Sequence, residues 1–151
     1  MRYPVIARRF SIIGLASWSQ MVIACGPTYE PFTQPSPTSG NQEFMLGEVQ
    51  RFTPMLNMGE FVATFTTPPA ATYAGWADCK LRGNPPWYIH FNKDYVEGLD
   101  PVAKQSYMSA LVAHEMCHHW VTRHDVSCYD EVEAELCAYN LVALGRPSRT
   151  P

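Results

Sequence analysis

The chain has 151 residues and a mass of 17.0 kDa, the size of one modest domain. Hydrophobic residues make up 46% and charged residues 17%, so a packed core is available and disorder throughout is excluded. Thirteen prolines and nine glycines argue against a plain helix bundle, and a formal net charge of −3 argues against nucleic acid as a partner.

Residues 1–25 read as an export signal. Arg2, Arg8 and Arg9 form a positive start, followed by an apolar run from Phe10 to Trp18 that is too short to span a bilayer comfortably. The segment ends Val22-Ile23-Ala24-Cys25-Gly26, which resembles the bacterial lipobox. That resemblance implies lipid attachment at Cys25 and an exported, membrane-anchored chain. With Gly26 where an inner-membrane retention signal would have Asp, it implies the periplasmic face of an outer membrane or a cell surface. Without residues 1–25 the chain keeps eight basic and fourteen acidic residues, a net −6. Residues 26–43 hold four prolines and no apolar period, the pattern of a solvated tether. The folded unit is expected over 44–146, with a tail at 147–151.

Phe44 to Leu56 carries apolar residues at helical spacing, broken by Pro54. Phe61 to Thr66 alternates and is β-branched, a strand ended by Pro68-Pro69. A second strand is expected over Tyr73–Leu81, and a third in Trp87 to Phe91. Asp100-Pro101 is a good helix start, and about twenty residues from Val102 to Thr122 run without Gly or Pro. Ser127 and Asp130 form a capping-box pattern that opens a last helix ending at Leu144-Gly145. The order predicts an α+β fold: a short three-stranded sheet packed on a long helix with an antiparallel helix behind it.

The chemistry lies on the long helix, in His114-Glu115-Met116-Cys117-His118. Histidines at i and i+4 project from one helical face and can chelate one Zn²⁺. Glu115 flanks that face, where a carboxylate can take a proton from an attacking water and pass it to a leaving amine. Met116 and Trp120 read as core packing, His119 as an exposed structural residue and His90 as a rim or core residue.

Two residues compete as third ligand. His124 has the metzincin spacing, but Val121 stands where that family turns on Gly, and no methionine follows Met116. The string Glu131-Val132-Glu133-Ala134-Glu135 resembles the gluzincin signature, with Glu135 in place of the usual Asp. That resemblance makes Glu131 the ligand and Glu135 the acid that orients a ligating His. Helical spacing agrees, because Glu131 and Glu135 share a face while Glu133 points away. Glu131 is favoured, with His124 and Glu135 as alternatives. Over residues 86–144 the chain resembles a small zincin metallopeptidase, with local similarity to SprT-type domains in His114 to Trp120. The resemblance implies that Trp87–Phe91 is the edge strand that pairs with an extended peptide or protein substrate. A downstream oxyanion-stabilising group is missing from the pattern; Tyr129, Tyr139, His119 and His124 are candidates.

Four cysteines remain besides Cys25. Cys79 and Cys128 are the favoured disulfide, while Cys117 and Cys137 are either bridged or simply buried. The sequence thus points to a zinc metallopeptidase, with a zinc-stabilised lipoprotein binding module that does not turn over as the competing expectation.

Overall fold

The computed structural model describes residues 39–68, 72–79 and 83–148; Cys25 and residues 26–38 of the tether lie outside the described residues. The elements are α1 (Gly40–Leu56), β1 (Phe61–Thr66), β2 (Gly75–Ala77), β3 (Trp87–Asn92), α2 (Lys93–Glu97), α3 (Gln105–Arg123) and α4 (Glu131–Leu144). The fold is α+β, with a three-stranded sheet, a long helix carrying the His-Glu motif, and α4 packed against it.

Helix α1 begins four residues before the expected Phe44. Ser39 caps it by accepting from the Gln42 amide at 3.3 Å. Asn41, buried, donates to the carbonyls of Val96 and Leu99 at 2.8 and 2.9 Å, tying the helix to the α2 region. These are polar anchors, invisible to an apolar-period reading. Pro54 does not break the helix, which runs two residues past it to Leu56 without the hydrogen bond its missing N–H would have donated. The chain leaves through Asn57 in the left-handed region, φ 50°.

The strand order is β1-β3-β2, with β1 parallel and β2 antiparallel to β3. Trp87–Phe91 is therefore the middle strand, not an edge; the antiparallel edge is the three-residue β2. Its shortness corrects the expected strand over Tyr73–Leu81. Helix α2 is an addition, opened by Asn92, whose side chain accepts from the Tyr95 amide.

Helix α3 is the centre of the molecule. It packs against α1, β2, β3 and α4, and every residue from Met108 to Val121 is buried. Its regular turns start at Gln105 rather than Val102, since Asp100 Oδ1 accepts from the Val102 and Ala103 amides and holds a preceding turn. The core joins Met45, Phe52 and Leu56 of α1 with Ile89 and Phe91 of β3 and Met108, Val112 and Met116 of α3. Two disulfides close it: Cys79–Cys128, and Cys117–Cys137 between α3 and α4, with Cα separations of 6.0 and 5.9 Å. By loop-closure entropy they stabilise by roughly 4 and 3 kcal/mol.

Candidate metal centre

His114 and His118 stand one turn apart on α3, with their Nε2 atoms 2.9 Å apart. Glu131, the first residue of α4, brings its Oε2 to 3.1 Å from His114 Nε2 and 3.6 Å from His118 Nε2. Asp130 makes this possible: its side chain accepts from the Glu133 amide and caps the helix, so that α4 starts at Glu131. Ser127, expected to cap that helix, instead accepts from the Tyr129 amide in the loop. The three donor atoms form a group that can hold a metal ion. Four donors set tetrahedrally at ~2.0–2.1 Å from zinc are separated by about 3.3 Å. The observed edges of 2.9, 3.1 and 3.6 Å bracket that value. The donor set, two imidazoles and a carboxylate, is one that catalytic zinc uses.

Groups stand behind the donors, although among the described residues the buried Nδ1 atoms of His114 and His118 complete no hydrogen bond. Glu135 Oε2 lies 3.4 Å from His114 Nδ1, an ionic contact on the ring's far side from Glu131. The backbone of Cys128 lies against His118. Such partners hold an imidazole in orientation for a metal. Electrostatics separate the two rings. Burial alone would depress His114, but the carboxylates of Glu131 and Glu135 carry it up to about 9. His118, desolvated and next to the His114 charge, falls to about 3. A metal entering this site therefore displaces a proton from His114 at neutral pH.

Glu115 is fully buried, and neither carboxylate oxygen has a hydrogen-bond partner among the described residues. Burial pushes its pKa up to about 8, opposed by the His114 charge and reinforced by Glu131. An unsatisfied buried carboxyl costs folding energy, so a fold retains one only where something else requires it. Its neighbour across the gap is Gly75 on the edge strand. A Cβ there would stand 2.9 Å from Glu115 Oε1, 3.1 Å from Glu115 Cγ and 3.1 Å from the His90 carbonyl. Glycine thus makes the room that Glu115 occupies, a role with no motif and legible only from the fold. Gly75→Ala is expected to destabilise by about 1–3 kcal/mol through overpacking while the metal stoichiometry holds, checked by thermal melts and elemental analysis.

The remaining candidates sit elsewhere. His124 hydrogen-bonds through Nδ1 to the Trp120 carbonyl at 2.7 Å and lies over the Trp120 ring, outside the metal-holding group. His119, expected to be exposed, is buried: it donates through Nε2 to the Tyr88 carbonyl at 2.9 Å and packs edge-on against Phe61. A central helix has no solvent face to give it. Tyr129 and Tyr139 are exposed. His90 is a core residue, bonded to Thr64 at 2.6 Å, stacked on Trp76 and held by burial down to about 4. Met116 and Trp120 are buried as expected, and Cys117 is committed to its disulfide. No family model, curated protein or solved structure matches the chain.

Proposed function

We propose that this chain is a zinc-dependent metallopeptidase that acts outside the cytoplasm, anchored to a bacterial membrane through a lipid on Cys25. The observation that carries the reading is the triangle of His114, His118 and Glu131 donor atoms, with edges sized for one tetrahedral ion and a buried, unpartnered Glu115 beside it. Among the described residues no helix is long and apolar enough to cross a membrane, so attachment in this reading rests on the lipid.

His114, His118 and Glu131 would hold the ion, leaving a fourth position for water or substrate. Zinc, when bound, supplies Lewis acidity toward a scissile carbonyl and lowers the pKa of an attacking water. Glu135, 3.4 Å from His114 Nδ1, and the Cys128 backbone beside His118 would help to keep the two imidazoles aimed. Glu115, which burial pushes up to about 8 in the metal-free chain, would be returned to the carboxylate by the positive charge of a bound ion; it would then take the proton of the attacking water and hand it to the leaving amine. The substrate is a peptide or protein segment.

A second reading, a zinc-stabilised binding module without turnover, has one observation on its side: Glu115 is fully enclosed. The chain from residue 26 onward, purified after export, is expected to carry one zinc per molecule by elemental analysis. It is expected to cleave a mixed peptide library, to lose that activity to a chelator and to regain it with Zn²⁺. Absence of zinc sinks both readings; zinc without cleavage of any peptide leaves the binding module.

A further inference from the structure

The three metal donors come from two helices that pack against each other, and the one on α4 stands at that helix's exposed first turn. Glu131 opens α4, where helices fray, and its side chain is 44% exposed. Of α4, Ala134, Cys137, Ala138 and Leu141 are buried against α3, so the bridged Cys137 is itself one of the four residues that seat the helix. One disulfide ends on α4 and the other in the loop that leads into it. Cys117 directly precedes His118, and its partner Cys137 lies two residues after Glu135. Cys128, buried in the loop three residues before Glu131, is tied to Cys79, two residues beyond the end of β2, and presents its backbone to His118. One bond therefore fixes α4 to the helix carrying the histidines, and the other fixes the loop that delivers Glu131.

We propose that the metal site is conditional on oxidation: Cys117–Cys137 and Cys79–Cys128 are positioning residues that place Glu131 against His114 and His118, and the dithiol chain holds zinc poorly. This deepens the metal-binding part of the proposed function. Assembly is by thiol–disulfide exchange. Each cysteine pair gives up two electrons and two protons to a disulfide-bearing oxidant, which leaves as a dithiol, while the protein gains one S–S bond. The site is then completed only after the chain leaves a reducing compartment.

The test is zinc affinity by chelator competition. The proteins are the oxidised wild type, Cys117→Ala/Cys137→Ala and Cys79→Ala/Cys128→Ala, each measured below its melting midpoint with far-UV circular dichroism as the fold control. Alanine pairs, rather than a reductant, leave no thiolates to bind the metal. The first pair is expected to weaken zinc at least tenfold with helical signal retained. Glu131→Ala added to that pair should cost less than a third of what it costs in the oxidised protein, because the disulfide acts through Glu131. A purely structural disulfide would leave the two Glu131→Ala effects equal. Should the Cys117→Ala/Cys137→Ala protein lose its helical signal, the Cys79→Ala/Cys128→Ala protein decides, with the same tenfold expectation. Affinity within twofold of wild type in a folded alanine pair, or equal Glu131→Ala effects, overturns the proposal. Failure of the oxidised wild type to bind zinc would instead overturn the metal site itself.

Discussion

Glu115→Gln is expected to leave one zinc per chain and to lower peptide hydrolysis by at least about a thousandfold, within the 10²–10⁴ range of a removed general base. The substitution is nearly isosteric, and Glu115 touches none of the donors by hydrogen bond, so the triangle of His114, His118 and Glu131 survives it. Equal hydrolysis by the variant would remove Glu115 from the chemistry. The metal-free protein gives a second readout. The Glu115 carboxyl titrates near 4.5 when unfolded and near 8 when folded, so the folded state binds the extra proton. Its contribution is most favourable below pH 4.5 and is lost as pH rises toward 8. Gln does not titrate. Metal-free Glu115→Gln should therefore melt above wild type at pH 7, by a margin on the order of a few kcal/mol, and the margin should vanish near pH 4.5. Melts at both pH values check it; a margin independent of pH would mean that burial does not hold the carboxyl neutral.

How far the sequence revealed this molecule depends on the range of the interactions concerned. The His114/His118 pair and the shared face of Glu131 and Glu135 follow from helical period alone, and an antiparallel hairpin of two helices is enough to bring them together. The Cys79–Cys128 pairing is legible from position, one cysteine near a strand end and the other in the loop between the last two helices, whereas the bridge between Cys117 and Cys137 stays open in the sequence. What escaped is set by distant partners. Whether β3 is an edge or a centre depends on the parallel pairing with β1, twenty-six residues back along the chain, as at Thr64↔His90. The burial of His119 depends on α3 being surrounded on all sides. The role of Gly75 depends on β2 and α3 approaching too closely there to admit one methyl group. None of these leaves a local period.

Removing the third ligand separates the two zincin patterns that the sequence holds open. Glu131→Ala is expected to weaken zinc by more than about a hundredfold, beyond the 10–100-fold typical of losing a partner behind a ligand. Glu135→Gln should fall inside that lesser range, since Glu135 touches His114 only on the Nδ1 side. His124→Ala should leave zinc affinity unchanged, because its ring is engaged with Trp120 and is no part of the donor group. Chelator competition on the three variants checks the order; zinc loss from His124→Ala with retention in Glu131→Ala would reverse the ligand assignment. The metal-free proteins carry an independent sign. Glu131 helps raise His114 to about 9, so its contact favours the fold below pH 6.5 and fades as pH climbs through 9. Glu131→Ala should then destabilise the metal-free chain at pH 6 more than at pH 9.5. The effect is modest because the carboxylate is 44% exposed and partly screened. With zinc present the order inverts in size: ligand loss dominates, and the gap in melting temperature between wild type and Glu131→Ala widens with added zinc as mass action requires.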